Sequence, residues 1–202
     1  SILNRRMDQR TKYPLYTKCG VHWSSYGAAL VIDSLVKFIE KERNVDLPDI
    51  SISKIELSDS ARGSDADLNR TLNLIWPVKN NTMAYPTFSF NKTGKAKLNF
   101  LMIADSYYYN MLENKGPEEV FQEHSFWYYN NSIFSNGPNN WKKVPEVNLG
   151  DEINKHDVIA IMATELTLTN FGWGFIDNAW KLLCTNGDEE LNVYIEKIKK
   201  DP

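Results

Sequence analysis

The sequence predicts an α/β protein built on a largely parallel sheet. Three features carry that prediction. Residues 98–103, Leu-Asn-Phe-Leu-Met-Ile, form an apolar run of buried-strand length. A second such run, Val-Ile-Ala-Ile-Met-Ala, lies within 157–164. Between and around them stand segments with helical spacing, and strands that alternate with helices imply parallel pairing.

The elements follow in order. Residues 1–16 are polar and basic and read as an extended lead-in. A helix is expected over about 25–43, with apolar positions at Ala28, Leu30 to Ile32, Leu35, Val36, Phe38 and Ile39. Ser24 or Ser25 caps its start, and Asn44 with Pro48 stops it. Residues 50–57 read as a strand whose alternation slips once, between Ile52 and Ile55. Residues 58–64 are loop. Ser64-Asp65-Ala66-Asp67 fits a capping box with Asp in place of Glu, opening a helix over 68–76 that Pro77 ends. Residues 78–97 form a polar, turn-rich excursion with short edge strands.

After the 98–103 strand, a helix runs from Tyr107 to about Asn114, with a second at 117–122. Residues 125–134 read as one strand, 136–147 as loop around Gly137-Pro138, and 150–156 as a polar stretch. Residues 171–184 and 188–200 look helical. No internal repeat or linker interrupts the chain, so 1–202 reads as a single domain.

Composition narrows the function. The chain has 202 residues, 42% apolar, enough for one proper core. A net charge of -3 argues against nucleic acid as the main partner. No stretch reaches the length of a membrane span, and Ser1 begins no signal-peptide pattern. The start at Ser1 reads as that of a mature form or an excised fragment. Cys19 and Cys184 leave a disulfide and two free thiols equally open. Neither they nor His22, His124 and His156 show metal-ligand spacing, and no cofactor motif stands out.

The residues able to do chemistry gather at two junctions. The 98–103 run ends in Ala104-Asp105-Ser106, followed by a helix start. A serine there lies among backbone N–H groups and the positive end of a helix dipole, where a nucleophile finds oxyanion stabilisation. On local grounds alone a simple cap reads as well, and Asp105 reads better as a cap than as an acid. His22, behind Gly20 and beside Trp23 at a loop–helix junction, is the candidate base. Asp67 and Asp65 are the candidate acids, competing with a plain role in a first helical turn. Asn110, Asn130 and Asn131 are candidate side-chain oxyanion donors. Trp127, Tyr128, Tyr129, Trp141 and Trp173 offer flat rings for a sugar face, against the simpler reading as core.

Residues 19–27, Cys-Gly-Val-His-Trp-Ser-Ser-Tyr-Gly, resemble the His-Trp block of SGNH-type acyltransferases related to alginate O-acetyltransferases. Ile103-Ala104-Asp105-Ser106-Tyr107 resembles their nucleophile block. The order, His before Ser, is that family's inverted order. Residues 62–68, Arg-Gly-Ser-Asp-Ala-Asp-Leu, resemble an intervening Gly-Asp-Leu-type segment, and 157–165 the closing strand. The likeness spans about residues 13–170.

Several expectations follow from the resemblance. The fold is a three-layer α/β/α, SGNH-hydrolase-like, and the chain is a C-terminal portion of a longer protein that lacks the first part of the sheet. Ser106 forms an acyl-enzyme with His22 as base, and Trp23, Tyr107, Asn110 and Asn130 line the substrate site. The function is O-acetyl transfer to an extracytoplasmic polysaccharide, with a membrane-bound acyltransferase supplying acetyl groups. A carbohydrate acetylesterase and an inactive carbohydrate-binding domain are the alternatives. Two positions depart from the family pattern. Gly20 stands where the family carries its triad acid, two residues before the histidine, and Ala104 stands where glycine is common.

Overall fold

The computed structural model describes residues 11–73, 75, 76, 78–135 and 141–184. The chain forms two compact units, Ser1–Leu98 with Ser106–His124, and Asn99–Asp105 with Ser125–Pro202.

The first unit is organised by helix α1, Ser25–Arg43. Ser24 caps it, its hydroxyl accepting from the Gly27 N–H, and Asn44 closes it in the left-handed conformation at φ 50°. Lys41 and Arg43 in the last turn suit the negative end of the dipole. Its buried face is Gly27, Ala28, Ala29, Ile32, Val36 and Ile39, so Phe38 of the expected stripe points outward. Each large aliphatic side chain on that face contributes about 1.5–3 kcal/mol. Ile32→Ala would cost about 2–5 kcal/mol.

Strand β1, Asp49–Ser58, pairs antiparallel with β2, Met83–Asn91, as a separate two-stranded ribbon. The slip in the alternation is a bulge between Ile52 and Lys54. Pro86 is tolerated inside β2 because a two-stranded ribbon leaves one edge of each strand unpaired. Thus β1 does not enter a parallel sheet.

Between these strands a 3-10 turn, Gly63–Ala66, runs into the short helix α2, Asp67–Thr71. The expected capping box is not formed: Ser64 Oγ donates to Glu113 Oε2 instead. Nor does the helix reach Trp76, because Asn73 turns left-handed at φ 46°. After Asp105 the chain returns to this unit with α3, Tyr108–Glu113, and α4, Gly116–Val120, both packed against α1. Gly116 is needed for that approach, since a β-carbon there would meet Ile32 at 2.7 Å.

The second unit is a five-stranded sheet in the order β6-β5-β4-β3-β7. Its strands are β3, Asn99–Ala104; β4, Glu123–Tyr128; β5, Ser132–Ser135; β6, Trp141–Lys143; and β7, Val158–Met162. β3 and β7 are parallel, whereas β4–β5 and β5–β6 are antiparallel, so the α/β class holds with a mixed sheet. The single strand expected over 125–134 is broken by Tyr129 and Asn130, both at positive φ. β3 is buried from Phe100 to Ala104, hence its unbroken apolar run.

Leu101, Ile103, Trp127, Ile133 and Phe175 form the core of this unit. Helix α5, Leu149–Lys155, capped by Asn148, occupies the stretch read as merely polar. A kinked 3-10 segment, Glu165–Gly174, leads into α6, Phe175–Cys184. Asp105, 1% exposed, closes the end of β3: its Oδ2 accepts from the Thr164 N–H and the Thr167 hydroxyl. Cys19 and Cys184 are both buried free thiols. The helix expected over 188–200 and the Gly137-Pro138 loop lie outside the described residues. Among those described, no helix is long and apolar enough to cross a membrane.

Candidate active site

The loop that carries His22 is closed at its base. Ser24 N–H donates to Leu15 C=O at 2.8 Å, Ser24 Oγ donates to Pro14 C=O at 2.8 Å, and Tyr16 bridges Trp23. Gly27 lets the first turn of α1 press on this base, because a β-carbon there would lie 2.7 Å from Leu15 O. The His-Trp-x-x-x-Gly spacing is therefore a packing requirement. Tyr107 steadies the imidazole from the side, ring centroids 4.9 Å apart and edge-on, while its hydroxyl donates to Val21 C=O.

Asp67 reaches the same loop because α2 docks on it. The N–H groups of Leu68 and Asn69 both donate to Cys19 C=O, at 3.0 and 3.4 Å, and the Thr17 hydroxyl donates to Asp65 C=O at 2.8 Å. Asp67 then divides its carboxylate. Oδ1 accepts from the Val21 N–H at 3.1 Å, and Oδ2 lies 2.7 Å from His22 Nδ1. A carboxylate accepts only, so Nδ1 carries the proton and Nε2 is left as the acceptor. Ser106 Oγ stands 2.9 Å from that Nε2. Ser106 follows the last residue of β3 by two positions and opens the α3 turn, its carbonyl accepting from Tyr109 N–H.

Asp67, His22 and Ser106 thus form one hydrogen-bonded line, with the His22 and Asp67 side chains 15% and 23% exposed. An ionised carboxylate behind the ring favours the imidazolium that forms when the serine proton is taken. Among the described residues no cluster of His, Cys, Asp and Glu has a metal-holding arrangement.

The other candidates fall elsewhere. Asp65 does not meet His22: it is fully buried. Burial pushes its carboxyl up to about 6, against the Tyr85 hydroxyl and Ser25 N–H that face it; burial also pushes Tyr85 up to about 12. Asn110 is 1% exposed, and both N–H groups of its amide are engaged by protein, so they are not aimed at an oxyanion. Trp23 packs edge-on against Tyr107 at 5.5 Å.

Asn130, in the second unit, donates to Trp173 C=O. Trp127 is fully buried in the core of that unit, so its ring cannot cover a sugar. Tyr129 packs against Tyr128 and Trp173 there, and the Trp141 side chain lies outside the described residues. The Val21 N–H and Glu113 carry no signal in the sequence, and Ser64 reads there only as a cap. Backbone donors and loop-to-helix contacts leave no residue-type signal.

No protein-family model matches the chain, and no curated protein matches it. Solved structures similar in part include the following two. The O-acetyltransferase domain of Pseudomonas putida AlgJ matches at 9% identity and a TM-score of 0.36, over 62% of this chain and 45% of that one. Pseudomonas aeruginosa AlgX matches at 13% identity and a TM-score of 0.34, over 60% and 30% respectively. The chain thus spans less than half the length of either.

Proposed function

We propose that this chain is a serine-dependent O-acyltransferase that works through an acyl-enzyme on Ser106. The observation that carries the reading is the Asp67–His22–Ser106 line, at 2.7 and 2.9 Å. His22 Nε2 takes the Ser106 proton as Oγ attacks the acyl carbonyl. The same proton then goes to the departing oxygen, and the acyl group stays on Oγ. An acceptor hydroxyl, deprotonated by His22, attacks the ester and releases Ser106. Asp67 holds the imidazole in the required tautomer throughout and stabilises its charged form. The Ser106 N–H, at the start of the α3 turn, is a backbone donor for the oxyanion.

The substrate class rests on the resemblance of the His22-Trp23 and Asp105-Ser106 blocks. It points to acetyl groups, to a polysaccharide acceptor outside the cytoplasm, and to a membrane-bound acyltransferase as the source of acetyl groups. The carboxylate on His22 speaks against a purely binding role, since a sugar-binding surface has no use for an oriented imidazole beside a serine.

The test is hydrolysis of p-nitrophenyl acetate by the wild type and by Ser106→Ala, His22→Ala and Asp67→Asn. Turnover by the wild type, with loss of about 10³-fold or more in each variant, is expected. A folded wild type that acetylates neither itself nor water would overturn the reading. Acetyl transfer to oligosaccharides, against release from acetylated ones, then separates transferase from esterase.

A further inference from the structure

Asn110 sits one helical turn after Ser106, on α3, and its amide touches two other segments. Nδ2 donates to Trp23 C=O at 3.0 Å and to Ser64 Oγ at 2.6 Å. The direction of these bonds is fixed by chemistry. A carbonyl can only accept, so the amide nitrogen must face Trp23. Ser64 Oγ accepts the second N–H and turns its own proton to Glu113 Oε2, at 2.9 Å. The hydrogens therefore run one way, Asn110 to Ser64 to Glu113, and the carboxylate at the end keeps Ser64 from reversing.

These contacts join the segments of the proposed site. Trp23 adjoins His22, Ser64 lies three residues before Asp67, and Asn110 shares α3 with the turn that begins at Ser106. A buried amide with both protons engaged is a rigid, directional link. Tyr107 adds a second tie beside the amide, its ring edge-on to His22 and its hydroxyl on Val21 C=O.

We propose that Asn110 is a positioning residue that sets the mutual spacing of the Ser106, His22 and Asp67 segments through its amide N–H groups. The proposal rests on the acyl-transfer reading for its activity readout, and on a spectroscopic readout that does not need turnover.

The test is Asn110→Asp, which keeps shape and volume but replaces the two N–H donors by oxygen. The expected result is a fall in kcat for p-nitrophenyl acetate of about 10- to 100-fold, with KM altered less than about threefold, as misplacement of reacting groups produces. The pH profile of kcat/KM should move, and the downfield NMR resonance of the His22 Nδ1–H proton should shift or broaden. Asn114→Ala is the comparison: it removes donors to Ser25 and Asn110 carbonyls from the same region, and should leave kcat and the resonance as in the wild type. If Asn110→Asp does not fold, Ser64→Ala takes its place and should move the same readouts less. A folded Asn110→Asp with wild-type kcat, pH profile and His22 resonance overturns the proposal, as does a Ser64→Ala variant with all three unchanged. A wild type without esterase activity overturns the acyl-transfer reading instead, and the resonance comparison still decides the role of Asn110.

Discussion

Asp67 Oδ1 lies 2.9 Å from where a β-carbon on Gly20 would stand, so the carboxylate occupies the volume that any side chain at position 20 would need. Ser64 O is equally close to that point. The requirement is one of space. Gly20→Ala should displace either the carboxylate or the backbone of the 3-10 turn, and the backbone cannot yield cheaply. We expect a fall in esterase kcat of about 10- to 100-fold, with a stability loss of about 1–3 kcal/mol. Kinetics paired with thermal melts checks this. Unchanged kcat would mean that the turn moves freely and the match is incidental.

The same relationship can be turned around. Asp67→Gly should remove the acid and cost about 10⁴-fold in kcat. It also removes one of the two atoms nearest a β-carbon at residue 20, leaving Ser64 O at 2.9 Å. Adding Gly20→Asp then returns a carboxylate to that volume from the other side of the contact. The double variant should recover at least about tenfold over Asp67→Gly alone. Recovery no better than with Gly20→Ala in the same background would show that the acid must come from α2.

Asp65 predicts a pH-dependent stability. Its carboxyl is raised from the ordinary carboxylate value to about 6 by burial. Between those two pH values the folded state holds a proton that the unfolded chain has released. Its contribution is therefore fully present below about pH 4 and is lost as pH rises through about 6. At neutral pH the buried charge costs about 3 kcal/mol. Asp65→Asn should raise Tm at pH 7 and have little effect at pH 4. Melts across that range decide it, and a Tm difference that does not vary with pH would refute the assignment.

The base of the His22 loop predicts two graded losses. Ser24→Ala removes the N-cap of α1 and the bond to Pro14, at a cost of about 1–2 kcal/mol. Gly27→Ala drives a methyl group to within 2.7 Å of a backbone oxygen and should cost about 1–3 kcal/mol, more if α1 is pushed from its seat. Urea midpoints measured side by side check the order. A Gly27→Ala protein as stable as the wild type would show that α1 and Leu15 are not held so closely.

Helix α1 was legible because its caps, its stripe and its stop coincide. The bulge in β1 was legible as a slip in the alternation. Edge strands were legible in the 78–97 excursion but not their length, and Pro86 sits inside β2, where the two-stranded ribbon makes it acceptable. Helix α2 was overextended because its stop, Asn73 turning left-handed, is neither glycine nor proline, and its capping box was misassigned because the Ser64 hydroxyl is drawn to Glu113, 49 positions away. The turn at Tyr129 and Asn130 lacks glycine and proline, so two strands read as one. His22 and Ser106 stood out by motif and order, and Asp67 shared its candidacy with Asp65. Two residues apart where a 3-10 turn runs into α2, one faces the loop and the other the interior, a distinction that sequence spacing does not make. The donors of Asn110 could be counted from its residue type, but their targets belong to segments 87 and 46 positions away.

Helix α2, which carries Asp67, has five residues and buries none of them. It is moored by two N–H bonds to Cys19 C=O, by the Asn69 amide on Val78, and by Arg70 on Gly63 C=O. So brief a helix, with no residue fully buried, opens at a small fraction of the free energy needed to melt a core. The orientation of His22 is therefore a local property with a low threshold. Under gentle heating or dilute denaturant, catalysis would lapse while both cores still stand, and would return at once on cooling. A single half-buried turn, acting as a fuse, would set the working temperature of catalysis.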